Sequence, residues 1–136
     1  MKARSALMGV VAAAVCWADC TRSPYYILTL PDNSYGWVRV RFGVRDAPPL
    51  ARRGRRGLIV IPLSGEAATS DKFVGGEGFN EFRYQNGAEA EMRNQFTTAN
   101  TVTGEQALYV YIGTSAERAD PLHGMELPTP GLRVRR

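Results

Sequence analysis

The chain has 136 residues, 44% hydrophobic and 22% charged, enough to bury one core and too few for two ordinary domains. Seventeen basic against thirteen acidic residues give a formal net charge of +4; removing Lys2 and Arg4 with a leader leaves 15 − 13 = +2, so charge gives no reason to expect a nucleic-acid partner. Cys16 and Cys20 are both near the amino terminus, which excludes a disulfide within the chain from Thr21 onward.

Lys2 and Arg4 precede an uncharged apolar run at residues 6–15, and Cys16-Trp17-Ala18-Asp19-Cys20 follows it. A cationic start, a short apolar stretch and a small-residue exit form the pattern of a secretory signal. The run is shorter than the ~20 apolar residues of a spanning helix. It is also apolar all round, unlike a helix lying half-buried on a domain. Residues 1–19 are therefore read as a signal segment and residues 20–136 as one exported domain. Two processing routes stay open. Cleavage after Ala18 leaves a free Asp19, whereas lipidation of Cys20 anchors the protein to a membrane. The polar stretch Thr21-Arg22-Ser23-Pro24 looks like the sequel of a lipoprotein junction, and lipidation at Cys20 is the reading adopted; Asp19 is the residue that fits it least.

Beyond Pro24 the chain consists of short β-branched and aromatic runs divided by Pro, Gly and Asn. Residues 25–30 (YYILTL) predict a first strand, and Pro31-Asp32-Asn33-Ser34 a turn. Residues 37–42 alternate clearly, with Val38, Val40 and Phe42 on one face and Trp37, Arg39 and Arg41 on the other. Arg52-Arg53-Gly54-Arg55-Arg56-Gly57 reads as an exposed basic loop. The continuous apolar run at 57–62 suits a strand covered on both faces. A short strand is expected at 67–70 and a loop at 72–78. Asn86-Gly87 predicts a hairpin between 79–84 and 88–93, although AEAEMRNQF at 88–96 also has helix-forming composition. Residues 94–105 read as a polar connection and 106–113 (QALYVYIG) as the last firm strand. The tail from about 114 is irregular, with a trace of strand at 132–134.

About seven short strands with frequent turns and no helical apolar period predict an all-β fold, a small sandwich. The alternation with its Thr69-Ser70 edge resembles sandwiches of transthyretin-like or immunoglobulin-like type. Leu30-Pro31, Tyr35-Gly36-Trp37-Val38, Ala47-Pro48-Pro49-Leu50, Val60-Ile61-Pro62 with Ser64-Gly65, Thr69-Ser70 and Tyr111-Ile112-Gly113-Thr114 are ordered landmarks along residues 25–114. In this order they resemble a group of small bacterial exported proteins and lipoproteins of unknown function. The resemblance implies a shared fold and brings no activity with it.

The search for chemistry yields candidates with simpler structural explanations. His123 stands alone in the tail, so no metal site is expected. Leu63-Ser64-Gly65 lacks the glycine of a nucleophile elbow, and Ser70 with Lys72 fits an exposed turn. Gly75-Gly76-Glu77-Gly78 lacks the lysine and following helix of a phosphate-binding loop. Glu81, Glu89 and Glu91 offer carboxylates, but in a domain too small for a sugar cleft. No catalytic residue and no cofactor are expected. The strongest binding candidate combines Trp37, Arg39 and Arg41 with Arg52, Arg53, Arg55 and Arg56, because guanidinium forks grip phosphate and carboxylate. The functional expectation is an exported, lipid-anchored, non-catalytic cell-envelope protein with a binding or structural role. Its expected partners are the membrane through Cys20 and an envelope protein or anionic surface. The alternatives are an accessory or inhibitor subunit and a small secreted hydrolase.

Overall fold

Strand alternation builds two sheets whose apolar faces meet. The structure, a computed structural model, describes residues 25–75, 80–117 and 126–136. Among these there is no helix, and nine strands follow in order: β1 (Tyr26–Leu30), β2 (Ser34–Phe42), β3 (Ala51–Arg53), β4 (Arg56–Val60), β5 (Glu66–Ala68), β6 (Glu81–Tyr84), β7 (Met92–Ala99), β8 (Gln106–Ile112) and β9 (Gly131–Val134). The first sheet has the order β3-β4-β1-β6 and the second β5-β2-β8-β7, with β9 also pairing β2. Strands β5 and β9 share one edge of β2, opposite Arg39–Arg41 and Ser34–Trp37 respectively. Strand β1 runs parallel to both neighbours, β4 and β6, and β2 runs parallel to β5. The remaining pairings are antiparallel.

The core lies between the sheets. Leu28 and Leu30 from β1, Ile59 and Ile61 from the β4 segment, and Phe82 from β6 meet Val38, Val40 and Phe42 from β2 and Leu108, Val110 and Ile112 from β8. This is the alternation expected of β2 and β8, and it is the main hydrophobic driving force: each fully buried side chain contributes about 1.5–3 kcal/mol.

Three local expectations are corrected. The run at 57–62 is covered on one face only, because Ile59 and Ile61 are buried while Val60 is 67% exposed. Its strand lies inside the first sheet, where alternate residues still point to solvent. The stretch 52–57 is not a loop but the hairpin β3–β4, pairing Arg52↔Gly57 and Arg53↔Arg56 around Gly54, whose φ is 64°. The Asn86-Gly87 turn does form, with Gly87 N–H donating to the Tyr84 carbonyl at 2.9 Å. Its returning arm keeps only the Arg83↔Glu89 bridge. The chain then crosses to the second sheet as β7, through residues 94–99 that had read as a connection. Residues 88–96 are therefore extended, since pairing with β8 outweighs helix propensities of a few tenths of a kcal/mol per residue.

Candidate functional surfaces

The seven residues of the sequence-predicted patch occupy two places. Trp37, Arg39 and Arg41 stand on the outer face of the second sheet, away from the core, beside Tyr109 and Tyr111 of β8 and Phe96 of β7. Register places Trp37 opposite Tyr111, Arg39 opposite Tyr109, and Phe96 opposite Tyr109 from the other side. The rings make an aromatic layer: Trp37 lies 5.3 Å from Tyr111 and 6.0 Å from Phe96, both edge-on, and Phe96 stacks on Tyr109 at 5.0 Å. The sheet thus has an apolar surface on each side, and the outer one buries Tyr109 and Tyr111 nearly as well as the core does.

The arginines of this face are engaged. Arg39 donates to Glu66 at 2.7 Å and Arg41 to Glu105 at 3.1 Å. Hydrogen bonding to the Tyr109 hydroxyl, and then to Glu66, raises the affinity of Arg39 for its proton further. The two pairs clip the short edge strand β5 and the turn before β8 onto β2. Such half-exposed pairs contribute ~0–1 kcal/mol each. A cavity of about 500 Å³ opens beside them, bounded by Arg39, Arg41, Thr98, Glu105, Tyr109 and Leu127.

Arg52, Arg53, Arg55 and Arg56 belong to the β3–β4 hairpin of the first sheet. Arg52 donates to Asp71 at 2.8 Å. Arg53, Arg55 and Arg56 have no acidic partner among the described residues. Strand β3 is a sheet edge of three exposed residues, where a row of arginines also discourages edge-to-edge pairing.

The other candidates are placed as follows. Ser70 and Lys72 line a second cavity, of about 530 Å³, together with Phe42, Phe73, Thr103 and Gln106. Glu81 and Glu91 are bound by Arg83 and Arg93, their neighbours two residues along. Among the described residues, no three His, Cys, Asp or Glu side chains group as metal ligands. Cys20, His123 and residues 76–78 lie outside the described residues.

One cluster escaped the sequence reading because its members are 18 to 51 residues apart. Arg135 grips Glu117 with two hydrogen bonds, of 2.7 and 2.9 Å, and donates to the Tyr84 hydroxyl at 3.2 Å. That hydroxyl in turn donates to the Ser34 carbonyl at 2.8 Å, so the cluster ties β9 to the end of β2 and to β6. Arg135, with the Thr114 N–H, holds the Glu117 carboxyl down at about 2. Its unfolded-state value is about 4.3. The stabilisation is therefore complete above pH ~4.3 and is lost as pH falls through about 2. Glu117→Gln is expected to cost ~1 kcal/mol at neutral pH and to speed amide exchange in β9, with the difference from wild type vanishing below pH 2.

No family model matches the chain, and no curated protein matches it in sequence. Its fold is similar to that of a crystal structure named "Putative Lipoprotein from Bacillus anthracis", with a TM-score of 0.56 and 13% identity over 78% of this chain and 85% of that one. At that identity the likeness is one of fold, an all-β sandwich.

Proposed function

We propose that the chain is an exported, lipid-anchored, non-catalytic domain of the cell envelope, held to a membrane by Cys20. The observation that carries the reading is the order of the amino-terminal residues. A cationic start, the apolar run 6–15 and Cys20 stand just before a sandwich whose first strand opens at Tyr26. The fold likeness to a protein named as a lipoprotein supports it. The non-catalytic part draws support from the state of the carboxylates: six of the ten among the described residues, Glu66, Glu81, Glu91, Glu105, Glu117 and Asp71, are each bound by an arginine. Carboxylates in such pairs hold the geometry of strands and turns.

Cell fractionation tests the anchor. The wild-type protein is expected in the membrane fraction and to leave it only with detergent, while Cys20→Ser remains unprocessed or becomes soluble. Detergent extraction of Cys20→Ser in the same mature form as the wild type would sink the reading. A panel of esterase, glycosidase and peptidase substrates should show no turnover by the purified protein. Turnover abolished by a single carboxylate substitution that leaves the fold intact would instead establish an enzyme.

A further inference from the structure

We infer that the end of the sandwich where β1 begins docks on an anionic lipid surface, setting the orientation of the anchored domain. Its orientation rests on the reading of Cys20 as the anchor, and its chemistry on the described residues alone. Register brings the parts together. Tyr26 pairs with Gly57, so the β3–β4 turn lies beside the point where the chain enters β1. The Phe42 ring lies 5.1 Å from that of Tyr26, and the Val74 N–H donates to the Tyr26 hydroxyl at 2.8 Å. Phe42 also pairs with Gln106, which brings the turn preceding β8 to this end.

Four cations gather here without an acidic partner among the described residues: Arg53, Arg55, Arg56 and Lys72. Two apolar side chains accompany them, Val102 at 93% and Val74 at 52% exposure. The cavity lined by Ser70, Lys72 and Phe73 opens at the same end. Cations and projecting apolar side chains at one end of the sandwich match a lipid surface, whose headgroups take the charge while the apolar side chains enter the interface.

Chain length limits where this end can be. From Cys20 to Tyr26 there are 26 − 20 = 6 steps of chain, at most about 20 Å. An acylated Cys20 therefore keeps this end within reach of the headgroups. The anchor alone would leave the domain turning on its tether; the cations select the face that meets the membrane. The turn at Asn86 lies at the opposite end, next to Leu30 and Asp32. It is separated from Val102 by the length of nine-residue β2, roughly 25–30 Å.

The test places a fluorophore at Val102→Cys or at Asn86→Cys in the mature lipidated protein, reconstituted in vesicles carrying a headgroup quencher. In phosphatidylcholine vesicles containing phosphatidylglycerol, the label at 102 should be quenched several-fold more than the label at 86. The difference should disappear at ~1 M salt and in the variant Arg53→Ala/Arg55→Ala/Arg56→Ala, whose urea midpoint should match wild type. Equal quenching at both positions in the anionic vesicles overturns the inference.

A second arm uses full-length Cys20→Ser, with and without the three alanines. The apolar run 6–15 is common to both, so their difference isolates the arginines. Binding to phosphatidylglycerol vesicles should fall about a hundredfold on removing them, at ~1 kcal/mol per cation. No change would overturn the inference. If this fall occurs while the mature protein carries no lipid, the anchor reading fails and the surface stands. If lipid is found while both arms are flat, the reverse holds.

Discussion

Gly36→Ala should be among the most destabilising single changes in the protein, costing about 3 kcal/mol or more and lowering the urea midpoint by ~2 M. Gly36 lies within β2, hydrogen-bonded between β8 and β9, with φ at 135°, a region that side-chain-bearing residues rarely enter. A Cβ there would stand 2.3 Å from the Gly131 carbonyl oxygen. The obstruction is backbone, so no rotamer change relieves it. Strand β9 must shift away from β2, loosening Leu132 from the core and disturbing the Arg135–Glu117 pair. Gly54→Ala is the control. Gly54 also has positive φ, at 64°, but its Cβ would meet nothing within 4 Å, so a cost near 1 kcal/mol is expected. Similar midpoints for the two variants would show that β9 does not pack against β2 as described.

Phe42→Ala should cost about 3–5 kcal/mol, a large share of the roughly 5–15 kcal/mol that stabilises a typical domain. Phe42 ends β2 at 1% exposure, and its ring lies 5.1 Å from both Tyr26 and Phe73. It therefore joins the two sheets and the 71–75 segment at one end. Truncation opens a cavity that three separate elements line, and the β1 and β2 backbones on either side cannot close together to fill it. Phe96→Ala, on the half-exposed outer face, removes an aromatic of the same size and should cost roughly 1–2 kcal/mol. Urea denaturation of both variants checks the order; an equal or reversed cost would mean that the outer aromatic layer is packed at least as well as the core.

Strand β2 was legible because Val38, Val40 and Phe42 are buried, apolar and recur with period two, whereas β1 and β8 were legible as short β-branched and aromatic runs that are buried at almost every residue. Strand β7 was not. It is a sheet edge whose residues Gln95 and Thr97 are exposed, while Asn94, Phe96 and Thr98 are only half-buried, so no apolar period marks it. Parallel pairing of β1 with β4 and β6 was also unreadable, since it joins segments about 30 and 55 residues apart through backbone groups that every residue carries.

The arginine patch shows the same boundary between pattern and partner. Alternation placed Arg39 and Arg41 correctly on the outer face of β2. It gave no sign that Glu66 and Glu105, 27 and 64 residues away, would occupy them. Nor did it show that Arg53, Arg55 and Arg56 would turn about Gly54 in a hairpin of the other sheet, beside the entry to β1. Charge was visible in the sequence; the pairing that separates structural cations from available ones required the fold.

The central claim, a β-sandwich domain anchored to a membrane through Cys20, is tested most directly by the mass of the mature amino terminus. Intact mass and peptide mapping of protein extracted from membranes should show a chain that begins at Cys20 and carries a diacylglyceryl group. A mature chain beginning at an unmodified Asp19, or one retaining residues 1–19, would contradict it.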